Sequence, residues 1–128
     1  MPSIWYNLKA SSIKMLVAKA PIYLANFAVD MRKSINGLSI ITKEHFSSSF
    51  EDGAYYVFSN RNMNKVKILY WETNGYCLWY KRLESSRFKL SYNQMTQSIT
   101  SAQLQWLLSG LDYQNMQGHR AKKYDILY

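Results

Sequence analysis

Residues Lys65 to Leu83 read K-V-K-I-L-Y-W-E-T-N-G-Y-C-L-W-Y-K-R-L. Two apolar, aromatic-rich runs flank an Asn-Gly pair, and basic residues close both outer ends. Asn74-Gly75 suits a type I′ turn, whose two central residues both need φ > 0. Val, Ile, Tyr and Trp in the flanks fit a pleated, half-buried surface. The stretch predicts a β-hairpin, Lys65 to Glu72 and Tyr76 to Glu84. With Asn74-Gly75 as a two-residue loop, Tyr70 faces Trp79, Leu69 faces Tyr80 and Lys67 faces Arg82. A three-residue loop sets Lys67 against Lys81 instead. Either register opposes two cations, with Lys65 nearby, at a cost of roughly a few tenths to 1 kcal/mol. A bound anion would relieve that repulsion, and so would long side chains splaying into water.

Upstream, Ala54 to Phe58 is a strand candidate, and Ser59 to Asn64 a turn with Arg61 at its tip. With the hairpin they make an antiparallel meander. Ile22 to Ala25 is a further short strand candidate. Asp30 has the character of an N-cap, since its carboxylate can accept from the next turn's amides. Ile35, Leu38 and Ile41 recur at helical spacing, which predicts a helix from Met31 to about His45. Arg32 and Lys33 would then sit in its first turn, opposing the helix dipole by a few tenths of a kcal/mol. Tyr92 to Gln97 reads as polar loop. Thr100-Ser101-Ala102-Gln103 is a capping box. Leu104, Leu107, Leu108 and Leu111 follow at i, i+3, i+4 and i+7, with Gly110 as the C′ residue of a helix from Ser101 to Ser109. That leucine stripe reads as core.

The fold class expected is α+β: a small antiparallel meander of three or more strands, one face packed on two main helices. Ile68, Tyr70 and Trp79 are expected on one face. Residues 1–20 read as an N-terminal extension, 21–113 as a single domain and 114–128 as a basic, flexible tail.

The net charge is +8, from 16 Lys+Arg against 8 Asp+Glu. Between Arg61 and Lys89 stand seven bases and two acids, so this segment alone carries +5. Such a surplus points to an anionic partner, nucleic acid first and an anionic membrane surface second. Hydrophobic residues make up 48% of the chain, enough for a real core. Cys77 is the single cysteine, which excludes an intrachain disulfide and a thiolate zinc site. It reads as a buried, inert thiol. No apolar run is long enough to span a bilayer, and the N-terminus lacks a leader's apolar core, so a cytoplasmic location with no membrane partner is expected.

The acids Asp30, Glu44, Glu51, Asp52, Glu72, Glu84, Asp112 and Asp125 show no spacing diagnostic of a metal nuclease. His45 and His119 lie in no recognisable ligand pattern, and nucleotide-binding and hydrolase motifs are absent. No cofactor, metal or catalytic residue is expected, and the residues alone point to a non-enzymatic binding domain.

Several stretches resemble a known family. They are Y23-L24-A25 with D30-M31-R32-K33 and G37-L38, then V57-F58-S59-N60-R61, then K67-I68-L69-Y70-W71, then G75-Y76-C77-L78-W79-Y80-K81-R82-L83. Q103-L104 through L107-L108-S109-G110-L111-D112 closes the series. In this order they resemble the TnpB-type accessory protein, the second reading frame, of the insertion-sequence-66 family of transposable elements. That protein is unrelated to the RNA-guided nuclease sharing its name. Phe27-Ala28-Val29 stands where the family commonly has Gly-Pro-Thr, Ser86 where it has Gly, and Lys89-Leu90 where a Trp-Pro often follows. The resemblance implies an accessory role in transposition beside a separate, larger transposase.

Two readings follow. In the first, the protein binds DNA through Arg32, Lys33, Arg61, Lys65, Lys67, Lys81, Arg82 and Arg87, with Trp71 and Tyr80 as candidate stacking residues. In the second, it is an adaptor on the transposase or a sister accessory protein, with exposed aromatics as anchors. A metal-dependent nuclease is a minor third reading.

Overall fold

The structure, a computed structural model, describes residues 20–46, 53–90, 92 and 97–111. In chain order it contains β1 (Ile22–Ala28), α1 (Ile35–His45), β2 (Tyr55–Ser59), β3 (Lys65–Glu72), β4 (Gly75–Arg82), β5 (Gln97–Ile99) and α2 (Ser101–Leu108). The extension before residue 20 and the tail after residue 111 lie outside the described residues. The strands form one sheet in the order β4-β3-β2-β1-β5. Pairing is antiparallel except between β1 and β2, which run parallel. The fold is therefore α+β, as expected, but the sheet is mixed rather than a pure meander. Parallel neighbours need a long crossover, and the segment carrying α1 supplies it.

The expectation of both helices on one face is also corrected. α1 buries Leu38 and is followed by Phe46, and both pack with Ala25, Tyr56, Phe58 and Leu69. α2 buries Leu104, Leu107 and Leu108 on the other face, with Ile22, Leu24, Val57, Ile68, Tyr70 and Phe88. The whole of β2, Tyr55 to Ser59, is buried. A continuous apolar run is what a strand covered on both faces requires, and burying each large side chain contributes about 1.5–3 kcal/mol. Ile68 and Tyr70 share the α2 face with Trp79 packed against them, as expected.

The ends of α2 form as read. Thr100 Oγ1 accepts from Gln103 N at 3.1 Å, and Gln103 Oε1 accepts from Thr100 N at 2.9 Å. Gly110 adopts φ +83°. Its N–H donates to Leu107 O at 3.0 Å, and Leu111 N–H to Trp106 O at 2.9 Å. These two bonds satisfy carbonyls that the helix end leaves open.

The start of α1 differs from the expectation. The helix begins at Ile35, with Ser34 as N-cap. Asp30 instead closes a tight turn: its Oδ1 accepts from Arg32 N at 2.9 Å, and its main-chain oxygen from Lys33 N at 3.0 Å. A short acceptor serves a turn as readily as a cap, because both offer it a nearby free N–H. Arg32 and Lys33 thus precede the helix instead of occupying its first turn.

The hairpin exists, but its turn lies one residue earlier. Glu72 pairs with Gly75, leaving Thr73-Asn74 as the loop. Thr73 takes φ +54°, and Asn74 N donates to Glu72 O at 2.5 Å across it. Lys67 consequently faces Tyr80, Val66 faces Lys81, and the opposed cations are Lys65 and Arg82. This register sets Trp71 against Tyr76 as an edge-on pair with centroids 5.0 Å apart. It also sets Ile68 against Trp79. Cross-strand aromatic contacts of this kind outweigh the preference of Asn-Gly for the loop.

Candidate nucleic-acid interface

The parallel pair sets the site. Leu24 pairs with Val57 and Ala28 with Ser59, so β1 uses four residues to advance where β2 uses two. Val29 N then donates to Ser59 O at 2.9 Å, tying the two strand ends together. The segments leaving β1 and β2 emerge at the same edge and line one open cleft of about 510 Å³. Clefts outside the carboxyl ends of parallel strands are where open α/β sheets hold ligands.

Arg32 enters this cleft from the turn after β1, Arg61 from the turn after β2, and Lys65 and Tyr80 from the hairpin. The Arg32 side chain is 91% exposed. It grips Asp30 through Nε at 3.0 and 3.1 Å and Nη2 at 2.6 Å. That side-chain bond, aided by the Arg32 N–H, holds the Asp30 carboxyl down to about 2. The same pairing pushes Arg32 up.

Arg61 projects from a stiff turn. Asn60 Oδ1 accepts from Asn64 N at 3.1 Å and Lys65 N at 3.0 Å, while Asn60 Nδ2 donates to Asn64 Oδ1 at 2.7 Å. Met63 takes φ +58° to close it. Tyr92 Oη donates to Asn60 O at 2.9 Å and also bonds Ser59 Oγ. Burial pushes the Tyr92 phenol up, against the lowering effects of the Ser59 bond and the Arg61 charge. The Asn60 side-chain amide thus organises the turn. Two Asn four residues apart around a strand connection are the signal for that role, legible in S-N-R-N-M-N.

The remaining basic residues divide. Lys67 Nζ donates to Met31 O at 2.9 Å and Lys33 O at 2.8 Å, and lies 5.6 Å from the Tyr80 ring centroid. Arg82 shares the α1 face with Lys65 and is held by Glu84 through Nε at 2.9 Å. Lys33 is exposed next to the cleft-lining Arg32. Lys81 points to the other face, where Nζ donates to Leu108 O at 2.8 Å and caps α2. Arg87 lines a separate depression of about 370 Å³ with Asn62, Asn64 and Glu84. Trp71 and Tyr80 are both exposed, at 40% and 48%, whereas Tyr70 is buried and Trp79 half-buried. Cys77 is a free, half-buried thiol. Among the described residues no three His, Cys, Asp or Glu side chains group to hold a metal ion. No described helix is long and apolar enough to cross a membrane.

Residues 20–118 match the family described as IS66 Orf2 like protein. This span contains every residue lining the cleft. An uncharacterized protein, y4hO of Sinorhizobium fredii, is 32% identical over 97 residues, covering 75% of this chain and 84% of that protein. No solved structure matches. The match spans both strands that frame the cleft, the hairpin and α2, and the chain belongs to the IS66 Orf2-like family, with an accessory role in transposition.

Proposed function

We propose that this protein is a non-catalytic accessory factor that binds the DNA of its transposable element through the α1 face of the sheet. The observation that carries this reading is the convergence of Arg32, Arg61 and Lys65 on one cleft, with the opposed Lys65–Arg82 pair at its border. Like charges set directly opposite across strands repel, and a polyanion removes that cost while releasing its own counterions. Arg32, Lys33, Arg61, Lys65 and Arg82 are the phosphate contacts in this reading. Lys67 and Lys81 serve the fold, because their ammonium groups are spent on main-chain oxygens.

The test is fluorescence-anisotropy titration of labelled element-end duplex and scrambled duplex at several salt concentrations. Binding is expected to weaken with salt at a slope near −0.9 per phosphate contact. The pair Arg61→Glu and Lys65→Glu should abolish it, and Lys81→Gln should not. Absence of binding at low salt removes the reading.

Exposed Trp71 favours a second, compatible contact. A tryptophan 40% exposed at a hairpin end is a suitable anchor for a protein partner. The element's transposase or a sister accessory protein is the partner this reading names.

A further inference from the structure

We infer that the cleft at the ends of β1 and β2 takes a single unpaired nucleotide of a DNA strand. Its phosphate lies among Arg32, Arg61 and Lys65, and its base rests on Tyr80. This rests on the DNA-binding reading above and goes beyond it, since duplex phosphate contact needs neither a cleft nor a ring.

Three features of the cleft select that ligand class. Its volume of about 510 Å³ exceeds what a phosphate fills and falls in the range of small-molecule sites. Its basic side chains reach it from two parts of the chain distant in sequence, Arg32 after β1 and Arg61 and Lys65 around the β2–β3 turn, so one anion can meet several cations. Its other walls include Val29, Met31 and the Tyr80 ring, which a bare anion would leave unused. Tyr80 remains 48% exposed, and the Lys67 ammonium 5.6 Å from its centroid is itself held by main-chain oxygens. An aromatic beside phosphate-binding cations is the arrangement by which single strands are held, because every base offers a π-face. Within a duplex the base faces are stacked and paired, and only the outer face of each terminal pair is open. The ligand is therefore a strand end, an overhang or an extruded base, and not uninterrupted duplex.

The Asp30 carboxylate fits this assignment as a resident counter-ion. It occupies the Arg32 guanidinium in the free protein, and a phosphate oxygen would replace it with the same bidentate geometry. Lys33 and Arg82, outside the cleft, are placed to follow the strand's neighbouring phosphates.

The experiment compares blunt duplex with the same duplex carrying a short single-stranded overhang, at fixed salt, and reads the ratio of the two affinities. The ratio expected is about ten in favour of the overhang, about one in Tyr80→Ala, and near the parent value in Tyr80→Phe. A ratio of one in the parent protein, or a ratio unchanged in Tyr80→Ala, overturns the inference. A second arm separates it from the broader reading: a 5′-phosphorylated thymidine dinucleotide is titrated while amide resonances are followed by NMR. Shifts at Asn60 to Lys65 and Tyr80 support the cleft even where duplex fails to bind. No shifts there overturn it even where duplex binds well. Circular dichroism of Tyr80→Ala and Tyr80→Phe checks that both remain folded.

Discussion

Lys67 Nζ bonds the main-chain oxygen of Met31 at 2.9 Å, joining residues 36 positions apart. A second bond, to Lys33 O at 2.8 Å, makes the ammonium a clasp on the segment between β1 and α1. Hydrogen bonds from charged groups are worth about 1.5–3 kcal/mol, and partial exposure lowers that. Lys67→Met should therefore cost about 1–2 kcal/mol in urea denaturation. Amide exchange at residues 31–34 should accelerate in the same variant. Lys81→Met should cost less, about 0.5–1 kcal/mol, because it removes a single bond and a favourable charge at the α2 terminus. Equal costs for Lys67→Met and Lys65→Met would contradict the clasp.

Lys65 and Arg82 make the opposite case. They face one another across the ladder, and among the described residues only Arg82 has an acidic partner, Glu84 at 2.9 Å. Lys65→Gln should leave stability unchanged or raise it by a few tenths of a kcal/mol. The same variant should weaken DNA binding and reduce the magnitude of the salt slope by about 1. A residue whose removal helps folding and harms binding is one retained for the ligand. A fall in stability with unaltered binding would assign Lys65 to the fold instead.

The parts of this fold legible in the sequence are those set by local chemistry. The Thr100–Gln103 box, the leucine stripe and the Gly110 cap each depend on residues within one helical turn, and each forms. The hairpin strands were legible for the same reason. What escaped depends on partners distant in sequence. Tyr23-Leu24-Ala25 reads identically in a parallel or an antiparallel strand, and only its docking beside Val57 decides. Gln97-Ser98-Ile99 has one large apolar residue, too few to show a period, and its first residue continues a polar stretch that reads as loop. Continuous burial of Tyr55 to Ser59 signals two covered faces, which a small meander packed on one face does not have. Within the site, the basic residues were found by composition. The division of Lys67 and Lys81 from Arg61 and Lys65 was not, because it turns on which carbonyl oxygens lie within reach.

The turn gives a sharp test of register. Thr73 is β-branched and sits at φ +54°, inside a rare three-residue turn. Gly75 lacks a positive φ, and no atom lies within 4 Å of a Cβ placed on it. Thr73→Gly should therefore raise stability by about 1 kcal/mol, since left-handed backbone costs a non-glycine residue about that much. Gly75→Ala should change stability by less than about 0.5 kcal/mol. A loop built on Asn74-Gly75 would reverse the two results. Thermal denaturation of both variants reads the difference directly.

Asp30 links folding, pH and binding. Its carboxyl titrates near 2, below the ordinary 3.8, because the Arg32 side chain and N–H bond the charged form. A depressed acid adds stability that is fully present above the unfolded value and is lost as pH falls toward the folded one. The Asp30 contribution should therefore fade between about pH 4 and pH 2. The difference in melting temperature between the parent protein and Asp30→Asn should shrink across that window and stay constant above it. At neutral pH the same variant frees the Arg32 guanidinium and removes a negative charge from the cleft. It should bind overhang DNA several-fold more tightly than the parent, with the gain shrinking as salt rises. Weaker binding in Asp30→Asn would mean that the pair positions Arg32 for the phosphate rather than competing with it. Asp30→Ala then separates a lost hydrogen bond from a lost charge, because only Asn can still accept from the Arg32 N–H.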